Sequence, residues 1–136
     1  MSRILYWDID DHSLVETGER RGMINWVEYV FVQPAELTLR YAMEETYDLI
    51  AIHHNDYFTG GVAERIRRMS RQKDTLLVGV TGAIGPDRLE TFKRGLGEHT
   101  IWDDFIVRSV DELRGTLLQL VGILESVESQ RNAWNN

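Results

Sequence analysis

The chain has 136 residues, of which 43% are hydrophobic and 27% charged, and its formal net charge at pH 7 is −7. This length suits one domain with a single core, and the acidic balance argues against non-specific nucleic-acid binding, because phosphate contacts need a basic surface. The chain contains no cysteine, which excludes disulfides and thiol catalysis. Its amino-terminal apolar run is too short for a signal peptide or a membrane span, so we expect a cytoplasmic protein.

Short apolar segments alternate with helical patterns along the chain. The predicted strands are residues 4–7, 26–32, 49–52, 76–80 and 105–107. The third and fourth are continuous apolar runs, as is typical of strands buried on both faces of a parallel sheet. Helices are predicted between them at 12–21, 34–45, 61–69 and 86–94. This alternation predicts an α/β fold with a doubly wound, five-stranded parallel sheet of the flavodoxin-like type, in strand order 2-1-3-4-5.

A last helix is predicted from Asp111 to about Gln130. Its apolar residues repeat every three or four positions, which is a heptad pattern, and they include Leu113, Leu117, Leu120, Leu124 and Val127. One face must cover the sheet, but the helix is longer than a strand of about six residues requires. We therefore expect these five residues to contact a partner and to build a homodimer. Residues 1–130 are assigned to one domain, and 131–136 to a polar tail or the start of a connector.

Polar residues follow the predicted strands at their carboxyl ends. Asp8 and Asp10 follow the first strand, His53 the third, Thr81 the fourth and Arg108 the fifth. Ligands of doubly wound sheets bind outside this edge, near the point where the strand order reverses. The sequence therefore places its candidate site here.

These segments resemble the receiver domains of bacterial response regulators over nearly the whole chain. Residues 3–10 are similar to the family's first strand and acidic cluster, and 80–82 to its fourth strand with a hydroxyl residue. Residues 103–113 are similar to its fifth strand and the turn that follows it, and Gly61 falls where the family places a glycine. The resemblance implies the flavodoxin-like receiver fold and a role in two-component signalling.

The departures from the family bear on function. His53 stands where the resemblance expects the phospho-accepting aspartate, Ile9 replaces the second acid and Arg108 replaces the lysine. Asp8, Thr81 and the switch aromatic Phe105 are retained. Mg²⁺ prefers several oxygen ligands in octahedral geometry, and one matching carboxylate is a poor start. The resemblance thus implies a vestigial phosphorylation site made of Asp8, Asp10, His53, Thr81 and Arg108, with no catalytic residue.

The same edge permits a metal hypothesis, because imidazole and carboxylate groups suit zinc or another transition metal. The candidate ligands are Asp8, Asp10, His12, His53 and His54. Adjacent residues on a strand point to opposite faces, however, so His53 and His54 do not ligate together easily. We expect His53 to pack at the site and to form a hydrogen bond with a carboxylate or the Thr81 hydroxyl, with no metal and no cofactor.

The leading hypothesis is a pseudo-receiver that acts through protein–protein contact and dimerisation and is not an enzyme. It is expected to be the regulatory module of a transcription regulator or another signalling protein, with no direct contact to nucleic acid or membrane. Arg108 is expected to face Asp8 and Asp10 in place of the family's metal. Two alternatives remain, namely a phospho-competent atypical response regulator that uses Asp56 or an acid on the first strand, and a flavodoxin-like domain that binds a small molecule or metal.

Overall fold

Six strands and four helices are arranged along the chain in a computed structural model that describes residues 2–8, 19–54, 59–82, 88–95, 101–109 and 113–135. The strands are β1 (Ser2–Trp7), β2 (Glu19–Ile24), β3 (Val27–Val32), β4 (Leu49–His53), β5 (Leu76–Thr81) and β6 (Asp104–Val107). The helices are α1 (Ala35–Glu44), α2 (Thr59–Arg67), α3 (Leu89–Gly95) and α4 (Leu113–Asn135), with a 3₁₀ turn at Ser70–Gln72.

The six strands form one mostly parallel sheet in the order β2-β3-β1-β4-β5-β6. The predicted α/β class is confirmed, but the predicted count of five strands and the order 2-1-3-4-5 are wrong. The difference is β2, which pairs antiparallel with β3 at one edge of the sheet, while the other four pairings are parallel. Without β2, the five parallel strands lie in the order β3-β1-β4-β5-β6.

β2 also corrects the prediction of a first helix at residues 12–21. Glu19, Arg20 and Arg21 belong to the strand, whereas residues 12–18 lie outside the described part of the chain. Asn25 and Trp26 connect β2 to β3 in a two-residue turn, and Asn25 has a φ of 53°. Asn is one of the few residues that tolerate this left-handed conformation. The tight turn holds β2 against β3, and tertiary pairing overrides the weak strand propensity of its sequence.

The register of the hairpin places both ends of the β1–β2 connection at the same edge of the sheet. Trp7 pairs with Val32, and Val32 pairs with Glu19. The connection therefore starts and finishes at the carboxyl edge of the parallel strands, next to the candidate site. A crossover helix would instead have to carry the chain back to the opposite edge.

Two apolar clusters cover the two faces of the sheet. α1 and α2 pack on one face, where Leu5, Ile50 and Ile52 belong to the cluster. α4 packs on the other face, against Ile4, Tyr6 and their neighbours on the same side of the strands. Among the described elements, α4 is the helix that contributes to this second cluster.

The heptad leucines of α4 are core residues. Leu113, Leu117, Leu120 and Leu124 are between 0% and 8% exposed and pack against the sheet. The expectation that these four side chains form a partner face is therefore corrected, because their apolar area is already buried within the single chain. Val127 is half-buried, and the described side chains beyond it are exposed up to residue 133.

The described helices do not include a segment that combines the length and apolar character needed to cross a lipid bilayer. α4 has 23 residues, which is long enough in principle, but its exposed face is polar over much of that length.

Candidate functional site

Asp8 is the centre of the candidate site. It directly follows β1, and its backbone N–H donates to the carbonyl oxygen of Val32 at 3.2 Å. The side chain is fully buried, so its carboxylate needs polar partners within the protein. Oδ2 accepts a hydrogen bond from the hydroxyl of Tyr6, which lies two residues earlier on the same face of the strand.

His53 lies beside Asp8 on the neighbouring strand. β1 and β4 pair in parallel, with Trp7 opposite Ile52, so the next residue of each strand reaches the same position at the carboxyl edge. Nδ1 of His53 lies 3.2 Å from Oδ1 of Asp8, and the residue is 8% exposed. The ring is not oriented for a hydrogen bond, and Nδ1 has no hydrogen-bond partner among the described residues. The contact is therefore a close approach that becomes an ion pair when the imidazole is protonated.

Arg108 reaches the same carboxylate from the far side of the site. It follows β6, and its backbone N–H donates to the carbonyl oxygen of Thr81 at 2.9 Å. Nη1 lies 3.5 Å from Oδ1 of Asp8, which confirms the expected contact between these two residues. The guanidinium passes over Gly82, where a Cβ would lie 2.8 Å from Nη2. A side chain at position 82 would displace the guanidinium from this path.

An aromatic cluster occupies the other face of the sheet at the same edge. Phe105 is 2% exposed, and its ring centroid lies 5.1 Å from that of His54 and 5.2 Å from that of Trp102. The His54 ring meets both rings edge to face, a favourable geometry for aromatic pairs. Phe105 also lies against Gly79, where an added Cβ would overlap its ring. The aromatic at the family's switch position is therefore tightly packed.

The structure brings together three of the predicted site residues, namely Asp8, His53 and Arg108. Thr81 is buried at the end of β5 and positions Arg108 through its carbonyl oxygen. Asp10 lies outside the described residues, as do His12 and Asp56. His53 lies against Asp8, whereas His54 packs on the aromatic cluster. Strand alternation predicts this difference, because adjacent residues point to opposite faces.

The described residues contain no group of three or more acidic, histidine or cysteine side chains that could hold a metal ion. Asp8 and His53 alone supply two ligands, and a guanidinium lies 3.5 Å from one of the carboxylate oxygens. A cation at this carboxylate would be repelled by Arg108 at short range. The donor set among the described residues thus favours an internal ion-pair cluster over metal coordination.

Sequence reasoning did not identify two residues of the site. Tyr6 is two residues before Asp8, so strand alternation places both on one face, and this signal was available. Gly82 was predicted only as part of the end of the fourth strand. Its actual role is to leave space for Arg108, and that role depends on the path of a side chain from another strand.

No protein-family model matches this chain, and no curated protein matches it either.

Proposed function

We propose that this protein is a pseudo-receiver, that is, a receiver-like regulatory domain of bacterial two-component-type signalling that acts through protein contact without aspartyl phosphorylation. The observation that carries this proposal is the state of Asp8. Its carboxylate is fully buried and is contacted by Tyr6, His53 and Arg108. Aspartyl phosphorylation of the family's kind needs an accessible nucleophile and a bound Mg²⁺, and these contacts take the place of both.

His53 supports the proposal from the acceptor side. The last residue of β4 is a histidine, whose side chain lies close to Asp8 and carries no carboxylate, so no acyl phosphate can form at this position. Arg108 supports the proposal because its guanidinium already lies against the carboxylate that would otherwise bind a metal. The contacts of His53 and Arg108 with Asp8 hold one arrangement of the strand ends, which suits a fixed binding surface.

The hairpin at β2 sets this protein apart from the family that it resembles. A receiver places a helix between its first two strands, whereas residues 19–24 here form an antiparallel strand. The face covered by α4 therefore has a different surface from that of a phosphorylated receiver. A partner that recognises this face would distinguish the protein from ordinary receivers.

The dimer that we propose uses the outer face of α4, since the leucines on its inner face are core residues. The exposed outer face of α4 carries Leu118, Gly122, Ser126 and Ser129, at intervals of four, four and three residues. Leu118 is 39% exposed, and a Cβ at Gly122 would meet no atom within 4 Å. A glycine within a helix costs about 1 kcal/mol relative to alanine, and close packing of a second helix would give it a role.

The phosphorylation test is an intact-mass measurement of the full chain with acetyl phosphate and Mg²⁺, beside a beryllofluoride titration followed by tryptophan fluorescence. We expect no acid-labile phosphoryl adduct and no saturable beryllofluoride response. A phosphorylatable receiver treated in parallel serves as the positive control. An adduct mapped to Asp56 or to Asp8 would instead establish a phospho-competent atypical receiver, and an adduct on His53 would overturn the proposed internal cluster.

A further inference from the structure

A recess lies between the β2–β3 hairpin and the first turns of α4. Its volume is about 440 Å³, within the range of roughly 300–1,000 Å³ that is typical of small-molecule sites. Ile24, Leu113 and Leu117 line it and also belong to the hydrophobic core. Met23 contributes to its rim. The recess therefore has an apolar floor.

Two arginines from different elements line the same recess. Arg20 comes from β2 and Arg114 from α4, and both are exposed. Neither forms an ion pair or a hydrogen bond with another described residue. No acidic side chain belongs to the described lining, although the chain has 22 acidic and 15 basic residues. A local surface of this kind selects an anion.

Tyr29 adds a third donor to the recess. The residue is 8% exposed, and its ring lies across β2 at Gly22, where a Cβ would be 2.7 Å from the tyrosine oxygen. The glycine therefore leaves the space that the ring occupies. The hydroxyl has no hydrogen bond to a described residue, and it is not a fully buried unpaired atom, so it is open to solvent and to a ligand. A ligand oxygen in the recess would supply a partner.

We propose that this recess binds a small organic carboxylate with an apolar body. The apolar body lies over the core residues of the floor, and the carboxylate accepts hydrogen bonds from Arg20, Arg114 and the hydroxyl of Tyr29. Arginine presents a planar pair of donors that matches a carboxylate. A neutral apolar ligand would leave these donors unpaired, and an inorganic anion would not cover the apolar floor. The recess at the amino-terminal edge of the sheet, about 320 Å³ in volume, is lined by charges of both signs and selects neither.

Octanoate is the probe for this site, with octanol and octylamine as matched compounds that lack the negative charge. The full chain is titrated with each compound while amide chemical shifts and heats of binding are recorded. We expect saturable binding of octanoate with a Kd on the order of 1 mM or lower, with shifts centred on β2 and the first turns of α4. Octanol should bind about tenfold more weakly or not at all, since it offers no charge to the two guanidinium groups.

Three variants locate the interaction. Arg20→Gln and Arg114→Gln should each weaken octanoate binding by about tenfold, which is the loss expected for one charge-assisted hydrogen bond. Tyr29→Phe keeps the ring and should weaken binding by about threefold to tenfold. Arg131→Gln lies at the far end of α4 and is the matched control, with no expected change. Urea unfolding of each variant confirms that the fold is retained.

Equal binding of octanol and octanoate, or unchanged binding in both arginine variants, would overturn the proposal. So would an acidic amphipathic peptide that perturbs these residues while octanoate does not, because the recess would then be a peptide-docking surface. The site shares no described residue with the cluster around Asp8. Failure here therefore leaves the proposed pseudo-receiver function untouched, and failure of that function leaves this site untouched.

Discussion

The effect of removing the Asp8 carboxylate depends on whether it lies in an open acidic pocket or among compensating groups of the protein. In an open acidic pocket, carboxylates repel one another, and removal of one relieves that repulsion. Here Asp8 is fully buried between a tyrosine hydroxyl and two basic side chains. Its negative charge is therefore compensated within the protein, and its removal takes away the carboxylate oxygen that lies 3.5 Å from the Arg108 guanidinium.

Asp8→Asn should accordingly lower the free energy of unfolding by about 3–5 kcal/mol, the range for removing one partner of a buried ion pair. Urea denaturation at neutral pH measures the change. Asp74→Asn is the control, since Asp74 is exposed, and such surface changes stay within about 0.5 kcal/mol. An Asp8→Asn variant that is more stable than the wild type would indicate a repulsive acidic pocket and would count against the internal cluster.

Two glycines should respond in opposite ways to the same substitution. Gly79→Ala places a methyl group in the ring of Phe105, and overpacking of this kind costs about 1–3 kcal/mol. Gly122→Ala adds a methyl group that meets no atom within 4 Å in the single chain, so it should stabilise the monomer by about 1 kcal/mol. Urea denaturation of both variants gives the comparison, and equal shifts of either sign would contradict the packing of Phe105 on Gly79.

Tyr47 links stability to alkaline pH. Burial raises the pKa of its hydroxyl above the usual value, and the carboxylate of Glu45, with Oε2 at 3.2 Å, raises it further. The neutral phenol is therefore favoured in the folded state, while the unfolded chain loses this proton near pH 10. Stability from this group is fully present below about pH 10 and is lost as the pH rises beyond that value.

The unfolding free energy should thus fall above about pH 10, by at most about 1.4 kcal/mol per pH unit for this one group. Tyr47→Phe should flatten the fall, and the difference between the two profiles from urea denaturation isolates the contribution of Tyr47. Identical profiles would show that this hydroxyl titrates normally in the folded protein.

The β2–β3 hairpin depends on one residue in a left-handed conformation. Asn25 has a φ of 53°, and a residue with an ordinary Cβ pays about 1–2 kcal/mol there. Asn25→Ala should lower the unfolding free energy by about 1 kcal/mol, whereas Asn25→Gly should be neutral or slightly stabilising. Thermal and urea denaturation distinguish the two variants, and an equal loss in both would mean that the side chain of Asn25, and not its backbone, stabilises the turn.

Among the strands, the sequence predicted those with strong apolar runs and missed β2, which lacks one. β4 and β5 are continuous apolar segments and were located to within one residue, at Leu49–His53 and Leu76–Thr81. β2 contains two arginines and a glycine, so its apolar pattern is weak and only its pairing with β3 makes it a strand. For the same reason, periodicity alone did not distinguish an edge strand at residues 19–24 from a helix.

The site was predictable where it depended on strand ends, because parallel strands bring their carboxyl ends to one edge. Asp8, His53 and Arg108 were therefore expected to meet, and they do. The heptad of α4 was misread at its leucines because periodicity alone does not say whether an apolar seam faces a sheet or another helix. Burial of Leu120 and Leu124 settles that question for the single chain.

The proposed dimer is tested by one substitution on each face of α4. Leu118 is 39% exposed, and Leu124 is 8% exposed and packs in the core. Leu118→Glu should abolish the proposed dimer while the free energy of unfolding of the monomer changes by about 0.5 kcal/mol or less. Leu124→Ala should lower that free energy by about 2–3 kcal/mol through the cavity that it leaves.

Sedimentation equilibrium of the wild type and the two variants measures the association. Wild-type protein that sediments as a monomer at high micromolar concentration would reject the dimer. If Leu118→Glu associates as strongly as the wild type, the contact lies elsewhere on the molecule.

Trp7 and Glu19 both pair with Val32, one on each side of it. The two ends of the β1–β2 connection are therefore two strand spacings, or about 10 Å, apart. Loop closure between such fixed points depends only weakly on length, and doubling the loop costs about 0.6 kcal/mol. The ten residues between 9 and 18 can therefore be lengthened or exchanged without a change of register in the sheet. Selection, or an engineer who inserts a reporter peptide between Trp7 and Glu19, can thus vary this connection at little cost to the stability of the fold.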